Sequence, residues 1–588
     1  MFTQAAIALS SKRLASTSAI VAPQPPATAE DKNTELVEER RVQKIEFAVK
    51  KHLQYLSKDP FKIQEHVLRI LEKGNFEEAL LLVRKASRDT KITVSWNHLI
   101  DYEMKNQRLH AAIKLYNEMK KRVQLPDAKT FTIIFRGCAK SKHPKLAVSE
   151  ALRIYNSMIV NERISPNIYH LNGVLEVCNN AGDLDSMFTV LETMNNGTRK
   201  PDSWTYTIVL NALRNSPHKL NHLDLDPAAA QRQVELVLGR AKMIWEDVMS
   251  RWNNGQILID EALVCAMGRI LAMGDYADKK SILGLLESTL RIPRFDITEG
   301  SAVAGDTQPQ LPAKDTGNHA LTVPKPGNNA LSLVMLSLEL TKKTSVAPKY
   351  WQHFTSVFGV KPDKANYISY IQVLMKGRAS AKVAEAVCSV QDAFLAPFIY
   401  RMAFSTCIHD GLNKHAFEHA CKIFDFMIAK APYPDPLSMR LFLQVARTNV
   451  RHLYEMDEKS PRAGKLAVGS QIVAALECMW KPFRVLMNTL HHTGRDQPKR
   501  GLWGLEDNEK LEVVAIARRM IAAMDVVTGE KMSEDEKVME TLRSRRSLLN
   551  KLVERYVETL PLDESSKGNK KMTLRQDGRT DAPFPRIA

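Results

Sequence analysis

The sequence predicts an all-α protein built from stacked pairs of short helices. Residues 93–127, TVSWNHLIDYEMKNQRLHAAIKLYNEMKKRVQLPD, carry two apolar patterns with helical spacing, separated by a polar turn at 106–108. Pro126 ends the second pattern, and Asp127 is placed to cap a following helix. Variants of this unit of roughly 35 residues recur along the chain. One helix pair cannot bury two apolar faces alone, so the units are expected to stack.

The units become less regular along the chain. Three units follow the first in phase, and they occupy 128–167, 168–202 and 203–260. Weaker copies end at Asp363 and Asp435, and residues 71–83 resemble the second half of a copy that precedes the first clear unit. We therefore predict an N-terminal array over 61–296 and degenerate repeats over 329–450.

Segments of different composition flank and interrupt this array. Residues 297–328 are polar and rich in Gly, Pro and Ala, which indicates a flexible insertion. The other predicted segments are a helical lead-in at 30–60, a C-terminal helical region at 451–560 and a disordered basic tail at 561–588. One basic helix face near the end of that helical region is either a phosphate contact or a solvated surface, and it carries Arg543, Arg545, Arg546, Lys551 and Arg555.

The first 29 residues form a separate segment. They contain no acidic residue, are dominated by Ala, Ser and Thr, and carry Lys12 and Arg13 beside a short amphipathic pattern. This resembles a mitochondrial presequence, which would direct the protein to the matrix; a disordered start is the alternative. No apolar run in the sequence approaches the ~18 residues needed to cross a bilayer.

Composition and motifs favour binding over catalysis. The 83 Lys and Arg residues exceed the 66 Asp and Glu residues by 17, which suits a polyanionic partner or a generally basic organellar protein. The seven cysteines are scattered without a C-x-x-C pair, so we expect reduced core residues. The segment from His415 to His419 matches H-x-x-E-H, with Glu418 as the acid, but it lies in repeat phase, so we expect no metal site. No phosphate-binding or dinucleotide fingerprint is present, and we predict no cofactor and no enzyme activity.

The repeated residues resemble the pentatricopeptide repeat family. The family carries Tyr-Asn or Tyr-Thr near the start of its unit, and the matching positions here are Trp96-Asn97, Phe131-Thr132, Leu171-Asn172 and Tyr206-Thr207. Its second helix carries an aromatic-x-x-Met pattern, here Tyr116 to Met119, Tyr155 to Met158 and Phe424 to Met427. It closes with Pro-Asp or a variant, here at 126–127, 166–167, 201–202, 362–363 and 434–435. The related tetratricopeptide repeat is the alternative, but the units lack its small residues where helices cross.

The resemblance implies a right-handed superhelical solenoid that binds single-stranded RNA, one base to each repeat. The fifth residue of a unit would bond the base edge and the last residue would select among bases, in the pairs Asn97 with Asp127, Thr132 with Asn167, Asn172 with Asp202, Thr207 with Asp260, and Asn329 with Asp363. The second residue would stack on bases, as Val94, Tyr169 and Trp204 are suited to do, whereas Lys129 departs from this pattern. The alternative is that these Asn and Thr residues are only helix caps. Ile368, Arg401 and Arg440 occupy later fifth positions, so base reading is not expected there.

The same resemblance implies a role in mitochondrial RNA metabolism. The pairing habits of the family imply the order pyrimidine, adenine, pyrimidine, guanine for the first four pairs. Maturation of the 5′ end of the small-subunit ribosomal RNA, or intron splicing, is the expected process. The alternatives are a messenger-RNA stability factor or translation activator, a structural subunit of the mitochondrial ribosome, and a tetratricopeptide-like protein scaffold.

Overall fold

The computed structural model describes residues 29–56, 58–160, 164–194, 197–220, 227–296, 323–430, 434–455, 462–491 and 507–559. Most of the predicted presequence, most of the insertion at 297–328 and the basic tail lie outside these ranges. Every regular element within the ranges is helical, which confirms the predicted all-α fold. None of the helices described is long and apolar enough to cross a membrane.

The helices form two compact units, the first ending at Pro201 and the second beginning at Asp202. The first unit contains α1 (Ala29–Tyr55), α2 (Pro60–Glu72), α3 (Phe76–Ala86), α4 (Thr93–Lys105), α5 (Leu109–Lys121), α6 (Ala128–Ala139), α7 (Pro144–Val160), α8 (Ile168–Ala181) and α9 (Leu184–Leu191). The first helices of successive pairs, α2, α4, α6 and α8, pack side by side, and each second helix packs against its own first helix. Helix α1 precedes the pairs and packs against α3.

The second unit is also built from helix pairs. Its elements are α10 (Ser203–Leu220), α11 (Pro227–Asn253), α12 (Glu261–Leu271), α13 (Tyr276–Leu290), α14 (Asn328–Leu340), α15 (Ala347–Gln352, continued by a π-turn at His353–Val357), α16 (Lys364–Lys376), α17 (Ser380–Ser389), α18 (Pro397–His409), α19 (Ala416–Lys430), α20 (Pro436–Thr448), α21 (Arg451–Tyr454), α22 (Ala463–His491), α23 (Asp507–Gly529) and α24 (Glu536–Thr559). The first helices from α10 to α20 pack in succession. Helices α22 and α23 then pack on α20, and α24 packs on α23.

The apolar residues that marked the repeats form the contacts between helices. Trp96 on α4 and Tyr116 on α5 are buried, as are Tyr155 on α7 and Phe424 on α19. Complete burial of side chains of this size contributes about 1.5–3 kcal/mol each. The periodic pattern in the sequence therefore corresponds to the packed face of each helix.

One repeat is more complete than the sequence indicates. Residues 71–83 show only a second helix, but the structure contains the full pair α2 and α3. Helix α2 begins after Asp59, whose carboxylate accepts a hydrogen bond from the amide of Phe61, and Pro60 occupies the first helical position. The helix pairs therefore begin with the first helix α2 at Pro60.

Candidate nucleic-acid interface

The last residue of each predicted unit starts the next first helix. Asp127 is the N-cap of α6, and its Oδ1 accepts a hydrogen bond from the amide of Thr130 at 2.7 Å. Asn167 caps α8 in the same way through the amide of His170, at 3.1 Å. Equivalent side-chain caps are made by Asp202, Asp260, Asp363 and Asp435. Helix capping alone thus accounts for a short polar residue at this cap position.

The first clear unit joins its fifth residue to its cap residue. Asn97 is only 1% exposed, and its Nδ2 donates to Asp127 Oδ1 at 3.2 Å. Thr130 Oγ1 donates to Asn97 Oδ1 at 2.7 Å, which closes a network between α4 and α6. The structure therefore brings together the pair that the sequence predicted here. The second N–H of the Asn97 amide and the second carboxylate oxygen of Asp127 lie outside these bonds.

The two threonines at fifth positions are arranged differently. Thr132 Oγ1 donates to Ala128 O at 3.0 Å, and Thr207 Oγ1 donates to Ser203 O at 2.8 Å. Each hydroxyl is therefore bonded to the carbonyl one turn earlier on its own helix. Neither threonine is bonded to its predicted partner, Asn167 or Asp260, in the part of the chain that the structure describes. Their hydroxyl oxygens keep the ability to accept a bond.

The pair formed by Asn172 and Asp202 is divided between the two units. Asn172 is buried on α8, in the first unit. Asp202 begins the second unit, where its Oδ1 accepts hydrogen bonds from both the amide and the hydroxyl of Thr205.

The second position of the first helices carries large apolar side chains that face solvent. Tyr169 is 73% exposed, Trp204 is 52% exposed and Val94 is 36% exposed. Phe61 on α2 occupies the same position and is 66% exposed, although the sequence analysis missed it. The Asp59-Pro60 start of α2 was the signal that could have found it. Lys129 holds this position on α6 and is also exposed.

The prediction for Asn329 requires a correction of three residues in register. Helix α14 begins at Asn328 after Gly327, so Asn329 is its second residue and Ser332 is its fifth. Pro324 and Pro326 explain the late start, because residues that precede proline are disfavoured in helices. The exposed Asn329 accepts a hydrogen bond from Arg269 at 3.3 Å. Ser332 Oγ instead bonds Asn366 Oδ1 at 2.7 Å, just as Asn97 bonds the third residue of its next first helix.

A shallow cavity of about 300 Å³ lies between α4 and α6, further along the helices than Asn97 and Thr132. Asp101 lines it, and its carboxylate pairs with Lys105 at 2.8 Å and Arg136 at 2.7 Å. Burial opposes ionisation of Asp101, but these two bonds hold its pKa below the ordinary value. Lys140 also lines the cavity, so its lining carries three cations against one carboxylate. That charge suits a phosphate.

The H-x-x-E-H segment is occupied by structural contacts. His415 Nδ1 lies 3.1 Å from Glu418, whereas His419 Nδ1 lies 3.0 Å from the hydroxyl of Ser380. Asp410 accepts the hydroxyl of Ser380 and does not orient the histidine, and Ser380 is fully buried. Ser380 and His419 are therefore not arranged as a catalytic serine and its general base. Among the described residues, no group of three or more His, Cys, Asp or Glu side chains is placed to hold a metal ion.

The cysteines are free thiols that differ in exposure. Four are buried, namely Cys138, Cys178, Cys265 and Cys407. Burial raises the pKa of the Cys138 thiol to about 12, so it stays protonated. Cys421 is partly exposed, and Cys388 and Cys478 are exposed, which corrects the expectation that all seven are core residues.

Three of the five cations on the basic face of α24 make ion pairs within the protein. Arg543 pairs with Glu536 at 3.3 Å, and Arg546 pairs with Asp525. Arg545 pairs with Glu477 at 2.7 Å and also lies over the ring of Trp480. These contacts favour the interpretation of this face as a structural surface over a phosphate contact.

Comparison with known families identifies the repeat. Residues 92–140 match the model of the PPR repeat family, and residues 132–225 match a model described as pentatricopeptide repeat-containing protein. Residues 92–225 are therefore similar to pentatricopeptide repeats. The matched residues include α4 to α9, the helix pairs that carry Asn97, Thr132 and Asn172.

Similar proteins carry the same repeat name. The mitochondrial pentatricopeptide repeat-containing protein 2 of Schizosaccharomyces pombe is 26% identical over 251 residues, which cover 41% of this chain and 55% of the relative. A mitochondrial pentatricopeptide repeat-containing protein of Arabidopsis thaliana is 25% identical over 162 residues, which cover 28% of this chain and 21% of the relative. The chain thus spans about half the length of the first relative and about a fifth of the second.

Among solved structures, the pentatricopeptide repeat protein PPR10 in complex with an 18-nt psaJ RNA element matches at 13% identity. The match covers 91% of this chain and 82% of PPR10, with a TM-score of 0.30. A likeness at that score says nothing about ligands.

Proposed function

We propose that this protein binds single-stranded RNA sequence-specifically along the first turns of its first helices and does no chemistry itself. The proposal rests on one repeated arrangement: an exposed apolar side chain at the second position and a short polar side chain at the fifth. Tyr169 with Asn172 on α8 and Trp204 with Thr207 on α10 both have it. Capping explains the last residue of each unit, but it explains neither of these two positions.

Each part of this arrangement suits a feature of an unpaired RNA strand. Exposed aromatic side chains offer faces on which bases stack, and stacking is worth on the order of 1–3 kcal/mol per base. Short amide and hydroxyl groups at the fifth positions can bond the Watson–Crick edges that a single strand leaves open. The cations of the cavity between α4 and α6 are placed to neutralise phosphates.

Direct binding measurements test this proposal. We expect a single strand selected from a random pool to bind more tightly than a duplex of the same sequence, because pairing occupies the base edges. Affinity should fall with salt, but less steeply than for a binder that contacts only phosphates. Equal affinity for single strand and duplex would contradict base reading.

We further propose that the protein acts in the mitochondrial matrix, on the precursor of the small-subunit ribosomal RNA or on an intron-containing transcript. The mitochondrial names of the fission-yeast and Arabidopsis relatives support the compartment. Sequencing of RNA crosslinked to the protein in mitochondria tests the target. Recovery of a single messenger RNA would favour a stability factor or translation activator. Co-purification with intact ribosomal subunits would favour a structural role in the ribosome. Absence of any enriched RNA would favour a protein scaffold.

The proposed mitochondrial location can be tested separately. Replacing Lys12 and Arg13 with Glu should abolish import if residues 1–29 act as a presequence, because import signals require positive charge. A tagged Lys12→Glu/Arg13→Glu protein that still enters mitochondria would contradict the assignment.

A further inference from the structure

The repeat that begins with α18 fills its fifth and cap positions with an ion pair. Arg401 is the fifth residue of α18, and Asp435 is the N-cap of α20. Arg401 Nε lies 2.8 Å from Asp435 Oδ2, and Nη2 lies 2.6 Å from Oδ1. Both carboxylate oxygens are therefore bonded to one guanidinium, while Oδ2 also accepts the amide of Ser438 at 2.9 Å.

These contacts make the α18 repeat differ from the α4 repeat. Asn97 and Asp127 share one hydrogen bond and keep further donor and acceptor capacity. Arg401 and Asp435 use the fork geometry that makes bidentate arginine–carboxylate pairs strong. Arg401 occupies both carboxylate oxygens of Asp435, so a base that approached Asp435 would have to displace the guanidinium.

The next fifth position is closed by a helix from outside the repeats. Arg440 is the fifth residue of α20, and its Nη1 lies 3.3 Å from Glu512 Oε2 on α23. Helix α23 packs directly on α20. The two arginines thus face two carboxylates, and this charge cluster of Arg401, Asp435, Arg440 and Glu512 is formally neutral and offers little attraction to phosphates.

We propose that this charge cluster is the C-terminal boundary of the RNA path, at which base reading stops and α23 closes the array. The inference rests on the proposed RNA binding and adds where that binding ends. Terminal elements of repeat proteins commonly cap the stack with a different surface, and α22 to α24 occupy that place after α20. Ile368 on α16 already offers no polar group to a base.

Restoring a short amide tests the boundary. Arg401→Asn recreates the Asn–Asp combination of α4 and α6 and leaves Asp435 in place as the cap of α20. We expect RNA selected from a randomised single-stranded pool to gain one preferred base beyond the end of the wild-type motif. The preference should be on the order of tenfold over the disfavoured bases, since a lost polar contact commonly costs that much. Nuclease protection should lengthen at the same end.

A matched control breaks a different ion pair in the same group of repeats. Lys430 on the second helix α19 pairs with Asp392 at 2.9 Å, away from the fifth positions. Lys430→Asn should leave the selected motif and the protected length unchanged. Arg401→Gln, which keeps an amide and more of the side-chain volume, replaces Arg401→Asn if thermal unfolding shows that Arg401→Asn does not fold.

The outcomes separate the two proposals. Failure of the wild-type protein to select any motif would overturn the RNA-binding function itself. A wild-type motif that is unchanged in length and sequence in the folded Arg401 variant would overturn the boundary alone. A wild-type protein that already protects and reads the base opposite Arg401 would do the same.

Discussion

The α4–α6 repeat and the α18–α20 repeat start their helices alike but use the fifth position differently. In both, an aspartate caps the next first helix and accepts the amide of the third helical residue, Thr130 or Ser438. The fifth residue is a neutral amide in one repeat and a paired guanidinium in the other. Helix capping is therefore enough to explain this residue, and its presence alone says little about a ligand. The fifth position, which the fold leaves variable, is where binding capacity is gained or lost.

The largest expected difference between the two repeats is in stability. Asp435→Ala removes a cap and leaves the Arg401 charge without its partner, and we expect it to cost about 3 kcal/mol, since Arg401 reaches some solvent. Asp127→Ala removes a cap and the acceptor of the buried Asn97 amide, but it leaves no charge unpaired, and we expect a smaller loss of about 1–2 kcal/mol. Urea unfolding of both variants measures the difference. Equal losses would mean that the ion pair adds nothing to the α18 repeat.

A smaller effect is expected on RNA affinity alone. Tyr169→Ala should weaken binding by on the order of 2 kcal/mol through lost stacking, with the free energy of unfolding nearly unchanged because the ring is exposed. Phe47 on α1 is the matched control, since it is an aromatic residue with the same 73% exposure as Tyr169 but lies outside the helix pairs. Weakening by Phe47→Ala to the same extent would show that the second position has no special role.

The sequence predicts the helix pairs well because their signals are local. Apolar spacing and the capping Asp or Asn residues act within a few positions, and they located the first helices from α4 to α10. The register of α14 was misread because Gly327 supplies no capping side chain. Glu261 caps this helix from the preceding first helix instead, as its Oε1 accepts the amide of Ala330 at 2.7 Å.

The contacts of the fifth positions are harder to predict, because they depend on distant partners. The pairing of Arg401 with Asp435 joins residues 34 positions apart, and Arg440 meets Glu512 on a helix outside the repeats. Thr132 shows the opposite outcome. Its residue type fits the predicted pair with Asn167, but its hydroxyl is bonded to the carbonyl of Ala128 on its own helix. Residue type and spacing therefore locate candidate reading positions but not the bonds that these residues make in the free protein.

The smallest expected effect is a pH dependence confined to α8. Burial lowers the pKa of His170, whose Nδ1 accepts the amide of Asn167 while Nε2 bonds Ala128 O at 3.0 Å. The folded state thus favours the neutral ring, so its contribution to stability is complete above the ordinary pKa of 6.5 and declines as pH falls through the lowered folded value.

His170→Thr provides the comparison for this pH dependence, because Thr130 and Thr205 make the same cap without titrating. Urea unfolding between pH 5 and pH 8 should show the wild-type protein losing stability relative to His170→Thr below about pH 6.5. Parallel profiles would contradict the assignment of a neutral His170.

The most direct test of the account exchanges one pair of reading residues for another. Thr132→Asn with Asn167→Asp converts the second pair into the Asn–Asp type of the first, and Asp caps α8 as well as Asn does, so the fold should be kept. RNA selection from a randomised single-stranded pool, with wild-type and double-variant protein, should move the second base of the motif from adenine to a pyrimidine and leave its neighbours unchanged. An unchanged second base, in a variant that folds and binds, would contradict base reading at the fifth and cap positions.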